Sequence, residues 1–273
     1  MSDLNPQARQ MADESMVRNL AAQARAIWPQ ERPLLTRYTL PRHARILDAG
    51  CGTGEGSARL AEHYLDATVL GDDIIDAHLD YARARHHRLA PRLMFDHRSV
   101  FELGLPDATF DLTVCRHVLH SIPHTGQVLE ELKRVTRPGG WLHLVAEDYG
   151  MLHFERHALD LREFWHAVPA AFGETTGTDM YVGRHAYGLL AALGIEEIAV
   201  DYIVVDTLRV PRETFAQIML AWRDGYAEAI GETTPVSAPA ARAHFDQMIA
   251  DIRDPARYAA WMVPVVSGRV PRA

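Results

Sequence analysis

The sequence predicts an α/β fold, a doubly wound and mostly parallel seven-stranded sheet with helices on both faces. Between residues 45 and 147, short apolar runs alternate with stretches of helical periodicity, which is typical of strands joined by crossover helices. The segment from Ile46 to Gly56 is an apolar strand that leads directly into a turn rich in glycine. Polar residues follow several predicted strands, and ligands of such sheets bind at the carboxyl ends of the strands. We therefore expect one ligand crevice at this edge of the sheet.

An amphipathic helix is predicted before the sheet, over residues 7–30. Apolar side chains recur at helical spacing from Met11 to Ile27, so one face of this helix is expected to pack on the domain. The pair Trp28-Pro29 is expected to end it, because proline lacks the amide that a further helical turn requires. We expect this helix to act as a cap that closes over the bound ligand.

Five strands and their helices make up the predicted core. Each strand is a short apolar run, and the segments between strands carry helical periodicity or the glycine and proline residues of turns. The predicted strands are 45–48, 68–72, 93–97, 110–115 and 141–147. The predicted helices are 57–64, a segment that follows residue 73 and reaches about residue 90, and 126–136, which the sequence Arg-Pro-Gly-Gly at 137–140 is expected to stop.

The pattern changes after residue 150. The predicted elements are helices at 153–172 and 181–193, a β-rich run at 195–210, a helical stretch at 211–257 with a break at 231–239, and a last strand at 261–270. The expected organisation is a helical cap (1–40), a ligand-binding core (41–210), a helical insertion that covers the substrate (211–257), and the last core strand with its tail (258–273).

The composition is ordinary for a globular protein and disfavours several functions. The 273 residues carry a formal net charge of −8 without a cluster of lysine and arginine, which argues against a nucleic-acid substrate. Two cysteines are too few for a disulfide framework or a zinc site. No apolar stretch approaches membrane-spanning length and no signal peptide is recognisable, so a cytoplasmic protein without a membrane partner is expected.

The glycine turn indicates the class of ligand. Glycines at positions 50, 52 and 54 let the chain adopt left-handed angles and let a ligand approach the backbone closely. A dinucleotide fingerprint would place its third glycine at position 55, where this chain has Glu55. Asp48 lies two residues before the turn, where it would repel a pyrophosphate and attract an ammonium group. A nicotinamide-dependent oxidoreductase is therefore disfavoured.

The run from Ile46 to Gly54 resembles motif I of the class I S-adenosylmethionine-dependent methyltransferases, and the resemblance extends over about residues 46–147. It implies a Rossmann-like methyltransferase fold for the core and S-adenosyl-L-methionine as the cofactor. In that family, the acid before the turn helps to hold the methionine ammonium group, and the turn backbone passes against the cofactor. The matching positions in this chain are Asp48, Gly50 and Gly52.

The resemblance also assigns the ribose and one face of the adenine. In the family, the acid at the end of the second strand receives the ribose hydroxyls. This implies Asp73 for the ribose and Ile74 for the adenine face, with Asp72 as an alternative one position earlier. A carboxylate suits this role because it can accept hydrogen bonds from both hydroxyls.

Two later segments complete the implied cofactor site. Where the family usually has an acid that receives the adenine amino group, this chain has Ser99, and the amide of Val100 is expected to reach a ring nitrogen. After the fourth strand, cofactor contact is expected from the backbone near Cys115 and Arg116.

Candidate catalytic residues follow the fourth and fifth strands. A sulfonium methyl group is already activated, so orientation of the nucleophile supplies much of the catalysis, and a hydroxyl or protonated amine also needs a general base. His120 resembles the position where a family of small-molecule O-methyltransferases places its base. His117 is nearer to the strand end, and Glu147 ends the fifth strand, so all three residues are candidates.

The candidate substrate residues are Trp28, Tyr149 and His153. An aromatic pocket is one interpretation of the larger set, but aromatic residues at helical spacing also form ordinary cores. The other aromatic residues of this set are Tyr38, Trp165, Tyr181 and Trp222. No metal is expected, because the chain lacks the paired acids and amide that metal-assisted catechol methylation would need at adjacent strand ends.

The leading hypothesis is methyl transfer from S-adenosylmethionine to an oxygen or nitrogen of a small molecule, with a specialised metabolite as the expected acceptor. Two alternatives stay open. One is a protein that binds the cofactor without methyl transfer or performs a non-methyl reaction, since motif I reports binding and not turnover. The other is a methyltransferase that acts on a protein or peptide.

Overall fold

A computed structural model describes residues 5–156 and 158–272 of the chain. The strands are β1 (Arg45–Ala49), β2 (Thr68–Asp73), β3 (Leu93–His97), β4 (Phe110–Arg116), β5 (Thr136–Val145), β6 (Leu152–Phe154), β7 (Glu196–Asp206) and β8 (Ala259–Arg269). The α-helices are α1 (Ala8–Met11), α2 (Glu14–Leu34), α3 (Glu55–His63), α4 (Asp76–His86), α5 (Thr125–Val135), α6 (Leu161–Thr176), α7 (Val182–Ala192), α8 (Arg212–Thr233) and α9 (Ala238–Arg253).

The sheet confirms the predicted doubly wound, mostly parallel topology. Strands β3, β2, β1, β4 and β5 are hydrogen-bonded in that order and are all parallel. Strand β8 pairs antiparallel with β5 on one side and with β7 on the other. Strand β1 lies between β2 and β4, and the order of the strands reverses at this point. The ends of the three strands therefore lie side by side, with Asp48 opposite both Gly71 and Val114. This is the switch point where ligands of such sheets bind.

Strand β6 was not predicted. Residues Leu152–Phe154 pair with Trp261 to Ala259 at the start of β8, where β5 no longer covers that edge. The helix predicted from residue 153 begins only at Leu161, and the carboxylate of Asp160 caps it by accepting the amide of Glu163 at 3.0 Å. The unpaired edge of β8 therefore decides the structure of this segment, since backbone groups of a buried edge need partners.

Helix α2 continues past the predicted stop at Trp28-Pro29 and ends at Leu34. Its second half is held by tertiary contacts that outweigh the missing proline amide. The side chain of Gln30 donates to the carbonyl of Val204 at 2.8 Å and accepts the amide of Val204 at 3.1 Å, so it completes the edge of β7. One turn of helix beyond the expected end is thus determined by the sheet it packs on.

Strand β5 begins at Thr136, earlier than predicted. The Arg-Pro-Gly-Gly sequence does end the preceding helix, but it lies within the strand because the chain pairs there on both sides. Thr136 is opposite Phe110 of β4, and the amide of Gly139 donates to the carbonyl of Val270 at 2.8 Å. Gly139 has a φ of +77°, a left-handed angle that explains the local shift in strand register.

Three buried apolar clusters surround the sheet. One lies between the sheet and α3 and α4, and a second between the sheet and α5 and α7. The third joins α2, α6, α8 and α9 to the start of β8, where Trp261 is fully buried. The helices α8 and α9 therefore share a core with the rest of the domain. Within the described residues, no helix combines the length and the apolar character that crossing a bilayer requires.

We expect replacement of Phe215 by alanine to destabilise the whole domain. Phe215 lies on α8 and is completely buried in the third cluster. Its removal should lower the free energy of unfolding by about 3–5 kcal/mol, because it deletes buried apolar surface and leaves a cavity. Urea denaturation followed by circular dichroism measures this change. Leu208→Ala is the control, since Leu208 is 78% exposed. A separate early transition of α8 and α9 in Phe215→Ala would show that they fold independently of the sheet.

Candidate active site

The carboxyl ends of the parallel strands surround one cleft, as predicted. The cleft has a volume of about 280 Å³ and lies at the ends of β1, β2 and β4. Eight of the residues that the sequence analysis singled out line it, namely Gly50, Gly52, Asp73, Ile74, Ser99, Val100, Arg116 and His117. Asp48 lines a narrow extension of the same cleft beneath the glycine turn.

The glycine turn forms one wall of the cleft and leaves no room for side chains. Gly50 and Gly52 have φ values of +71° and +54°, angles that L-residues rarely adopt. A Cβ added at Gly50 would collide with Val118, and one added at Gly52 would lie 2.8 Å from Cδ1 of Leu20. A ligand in the cleft therefore meets backbone at this wall.

The two acids at the end of β2 hold this turn in place. The amide of Gly50 donates to Oδ1 of Asp72 at 3.2 Å, and the amide of Gly52 donates to Oδ2 of Asp73 at 2.8 Å. Asp72 is fully buried, which raises its pKa well above the usual range. Asp73 lines the cleft and accepts one further amide, that of Ile75, at 2.9 Å. Since an ionised carboxylate has about four acceptor positions, Asp73 can still receive ligand hydroxyls.

The extension beneath the turn brings opposite charges together. Asp48 is buried and accepts a hydrogen bond from the hydroxyl of Ser57 at 2.6 Å. Burial raises the pKa of Asp48, although the nearby guanidinium of Arg116 opposes this shift. Arg116 donates from Nη2 to Oε2 of Glu31 on α2 at 2.8 Å. Burial also raises the pKa of Glu31, but Arg116 and His143 outweigh it and lower the pKa to about 2.

Two histidines share one buried carboxylate at the inner end of the cleft. Glu147 is fully buried, with Oε1 bonded to Nδ1 of His117 and Oε2 located 2.8 Å from Nδ1 of His120. Burial raises the pKa of Glu147, but the two histidines outweigh this effect and hold the pKa well below its usual range. Within the described residues, Nε2 of His117 is buried and has no hydrogen-bond partner. This nitrogen is therefore available to a ligand.

An aromatic chamber lies beyond this cluster. The ring of Tyr149 stacks on that of Trp165, with ring centroids 5.7 Å apart. It also meets the ring of Trp222 in an edge-on arrangement, with centroids 5.4 Å apart. A small junction cavity of about 20 Å³ shares lining residues with both the cleft and the chamber. Its lining residues include His117, His120, Glu147, Tyr149, Trp222 and Tyr226. His117 lines both the cleft and the junction.

The structure places two of the three candidate substrate residues elsewhere. Trp28 packs against His63, with ring centroids 6.2 Å apart, because this position of α2 faces α3 and not the cleft. His153 is exposed on β6 beside Tyr258, since residues of a short edge strand alternate between the sheet faces. Tyr149 alone of the three lies at the junction. Tyr38 is buried in the cluster that covers the other face of the sheet.

The sequence analysis missed the polar residues that α2 contributes. Asn19 and Gln23 line the junction cavity, and Glu31 anchors Arg116. The side-chain amide oxygens of Asn19 (Oδ1) and Gln23 (Oε1) are buried and have no hydrogen-bond partner within residues 5–156 and 158–272. Asn19 and Gln23 are four positions apart and therefore lie on one face of the helix, and Glu31 lies about two turns beyond Gln23. Polar residues on an otherwise apolar helical face were the signal that could have identified them.

The described part of the chain offers no arrangement for a metal ion. No group of three or more histidine, cysteine, aspartate or glutamate side chains within it is placed to hold one.

Comparison with known proteins identifies the core. Residues 47–144 match the family described as methyltransferase domain. The chain is 36% identical over 102 residues to a 27-O-demethylrifamycin SV methyltransferase of Amycolatopsis mediterranei, a match that covers 37% of each protein. It is 35% identical over 115 residues to a trans-aconitate 2-methyltransferase of Methylobacterium nodulans, covering 42% of this chain and 43% of that one. The match thus spans about two fifths of the length of these relatives.

Solved structures share the fold over most of the chain. A phosphoethanolamine N-methyltransferase of Haemonchus contortus, in complex with S-adenosylhomocysteine, superposes with a TM-score of 0.56 and 18% identity over 90% of this chain and 53% of its own. The [4+2]-cyclase SpnF superposes with a TM-score of 0.55 and 20% identity over 89% of this chain and 81% of its own. At these identities the likeness establishes the fold.

Residues 47–144 therefore form a methyltransferase domain of the S-adenosylmethionine-dependent class, as the resemblance in the sequence predicted. The cofactor of this class is S-adenosylmethionine, and the cleft fits it chemically. The cleft offers a buried carboxylate at Asp48 for an ammonium group, a side-chain-free backbone wall, and a second carboxylate at Asp73 for hydroxyls.

We expect Asp73→Asn to weaken binding of S-adenosylhomocysteine by about 10- to 100-fold, because hydrogen bonds to a charged group contribute about 1.5–3 kcal/mol. Isothermal titration calorimetry measures the affinity. Asp76→Asn is the matched control, since Asp76 lies three residues away and its side chain is 75% exposed. Equal affinities for the wild type and Asp73→Asn would exclude Asp73 from the ribose site.

We also expect the Glu31 carboxylate to make stability depend on acidic pH. Its pKa is about 2 in the folded chain, below the value of about 4.3 for an unfolded glutamate. A lowered folded pKa contributes stability that is present above about pH 4.3 and is lost as the pH falls toward about 2. Thermal melts of the wild type and Glu31→Gln between these values should converge as the pH falls. Glu14→Gln, at an exposed position of the same helix, should follow the wild type.

Proposed function

We propose that this protein, whose residues 47–144 form a methyltransferase domain, transfers a methyl group from S-adenosylmethionine to an oxygen or nitrogen of a small molecule. The observation that carries the proposal is the position of the His117–Glu147–His120 cluster. It lies at the junction between the cofactor cleft and the aromatic chamber, so that a base adjoins both ligand spaces.

The cofactor supplies a methyl group on a sulfonium, which a well-oriented nucleophile can displace. Asp48 and Asp73 would hold its ammonium and ribose ends, and the backbone at Gly50 and Gly52 would lie along it. The apolar side chains of Ile74 and Val100 line the cleft where the adenine would bind. These contacts would orient the cofactor, and orientation of a reacting group can contribute about 7–11 kcal/mol in favourable cases.

His117 is the better placed of the two histidines to act as general base. Its Nδ1 is bonded to Glu147, and an ionised carboxylate accepts only, so Nδ1 carries the proton. The opposite nitrogen, Nε2, is then an acceptor, and it can take the proton from an acceptor hydroxyl as the new bond forms. Glu147 stabilises the imidazolium that results, as carboxylates do in other histidine-based sites. His120 is the second candidate, since it contacts the other oxygen of the same carboxylate.

The chamber favours a neutral, largely apolar acceptor with an aromatic or conjugated portion. Tyr149, Trp165 and Trp222 line it, and no lysine or arginine lines the chamber or the junction within the described residues. The chamber has a volume of only about 40 Å³, and its apolar lining suits a small neutral portion of an acceptor better than the tricarboxylate named for one relative. A specialised metabolite is therefore our proposal for the acceptor, and the burial of the junction beneath α2 and α8 favours a small molecule over a peptide.

The reaction is tested by incubating the protein and S-adenosylmethionine with a panel of neutral phenols, aromatic amines and hydroxylated polyketides, alongside tricarboxylates. Release of S-adenosylhomocysteine together with the mass increase of one methylene on an acceptor supports methyl transfer. Conversion of an acceptor without cofactor consumption would support a non-methyl reaction instead. That outcome has a precedent in the fold, since SpnF is a [4+2]-cyclase.

We expect His117→Asn to lower kcat for such an acceptor by about 100- to 10,000-fold, the usual contribution of a general base. Asparagine is chosen because His117 has a φ of +59°, an angle that asparagine tolerates better than alanine does. The affinity for S-adenosylhomocysteine should stay within a factor of about two, since the variant removes no assigned cofactor contact.

His185→Asn is the control for a histidine outside the site, since it is exposed on α7. Steady-state rates for His117→Asn, His120→Asn and His185→Asn should be compared on one acceptor. A wild-type rate in His117→Asn with a collapsed rate in His120→Asn would transfer the role of base to His120.

A further inference from the structure

A chain of four buried polar side chains runs from the middle of the sheet to the cofactor cleft. Oη of Tyr38 lies 2.6 Å from Nδ1 of His143, and Nε2 of His143 lies 3.2 Å from Oε1 of Glu31. Nη2 of Arg116 donates to the other oxygen of Glu31 at 2.8 Å. The chain joins α2, β5 and the end of β4, and Glu31 and His143 in it are at most 1% exposed.

The hydrogen-bond roles in this chain follow from the carboxylate. An ionised Glu31 accepts only, so Nε2 of His143 donates to it and Nδ1 of His143 accepts the hydroxyl proton of Tyr38. Each contact of the chain then joins one donor to one acceptor. The other oxygen of Glu31 accepts the hydrogen bond from Nη2 of Arg116, so the carboxylate contacts one edge of the guanidinium.

Arg116 retains donors that no protein group uses. Its side chain is only 9% exposed, and its Nε is buried without a hydrogen-bond partner among the residues that the structure describes. Its Nη1 lies directly against the backbone of Gly56, where an added Cβ would collide with it. Asp48 and Arg116 line the same narrow extension of the cleft. A buried carboxylate beside a buried cation with an unused donor suits a ligand that carries both an ammonium and a carboxylate group.

We propose that Arg116 binds the α-carboxylate of the cofactor's methionine moiety and that Glu31, backed by His143 and Tyr38, is the positioning residue that aims the guanidinium. The proposal rests on the cofactor and not on methyl transfer, so it holds whether the protein methylates its acceptor or not. A buried ion pair contributes little net stability compared with apolar packing. Holding Arg116 at the ligand is a role that apolar packing could not supply.

The test compares the affinities for S-adenosylhomocysteine and for its decarboxylated analogue, which keeps the amino group. Calorimetric titration of the wild type should show S-adenosylhomocysteine binding more tightly by about tenfold or more, the effect of one charged hydrogen bond. Glu31→Gln should lower the affinity for S-adenosylhomocysteine by about tenfold and leave the analogue within about twofold. A role confined to stability would lower both affinities together.

Gly56→Ala provides a second variant that leaves Glu31 intact. Gly56 lies in the first turn of α3 without a left-handed angle, so alanine suits the backbone there. Its Cβ would collide with the guanidinium and lie 3.2 Å from Oδ2 of Asp48, so the guanidinium is the group that must move most. It should show the same selective loss, and it carries the test if Glu31→Gln does not fold. Glu14→Gln, on the exposed face of α2, should bind both ligands as the wild type does.

Three results would overturn the proposal. The first is equal binding of the two ligands by the wild type, which would mean that no group recognises the carboxylate. The second is an unchanged ratio of affinities in a folded Glu31→Gln and in Gly56→Ala. The third is that the wild type binds neither ligand, which would also contradict the assignment of S-adenosylmethionine as the cofactor. Failure of the acceptor screen alone affects methyl transfer and leaves this inference intact.

Discussion

The left-handed turn after β1 is the constraint on which the rest of the site depends. Its amides at Gly50 and Gly52 are bound by the two acids that end β2, so the neighbouring strand determines the path of the turn. Side chains at these positions would meet Val118 and Leu20, which shows that the loop after β4 and helix α2 close on the bare backbone. Asp73 lines the cleft beside this wall, and Asp48 lines the extension beneath it, so a ligand along the wall would lie between the two carboxylates.

Helix α2 is the second wall, and its buried face combines packing with recognition. Ile27 belongs to the apolar core, whereas Glu31 on the same face is paired with Arg116. The side-chain amide oxygens of Asn19 and Gln23, however, are buried at the junction without a hydrogen-bond partner among the described residues. Burying polar atoms without partners costs free energy, so this face is better suited to holding a ligand than to maximum stability.

The electrostatics of the junction depend on the carboxylate of Glu147, which lies beside the imidazoles of both His117 and His120. Glu147 carries a single negative charge and is fully buried, and burial strengthens its interaction with a positively charged ring. The pairing also selects the tautomer of His117 and leaves Nε2 facing the ligand spaces. The same aromatic shell provides the apolar surface of the acceptor chamber, so one structural feature shapes both the reactivity and the specificity that we propose.

The sequence by itself determined the parallel core, the cofactor class and the residues at the strand ends, because these depend on short-range patterns. Apolar periodicity predicted β1 to β5 within a few residues, and the spacing of glycines after Asp48 indicated an ammonium-bearing ligand. Tertiary structure decided which helix faces meet the cleft. It extended α2 beyond Pro29 through contacts with β7, turned Trp28 away toward α3, and brought Asn19, Gln23 and Tyr226 to the junction. The rotation of a helix against a sheet is set by packing between distant segments, so a local pattern can mark a polar residue on the buried face of α2 but not the partner that it meets.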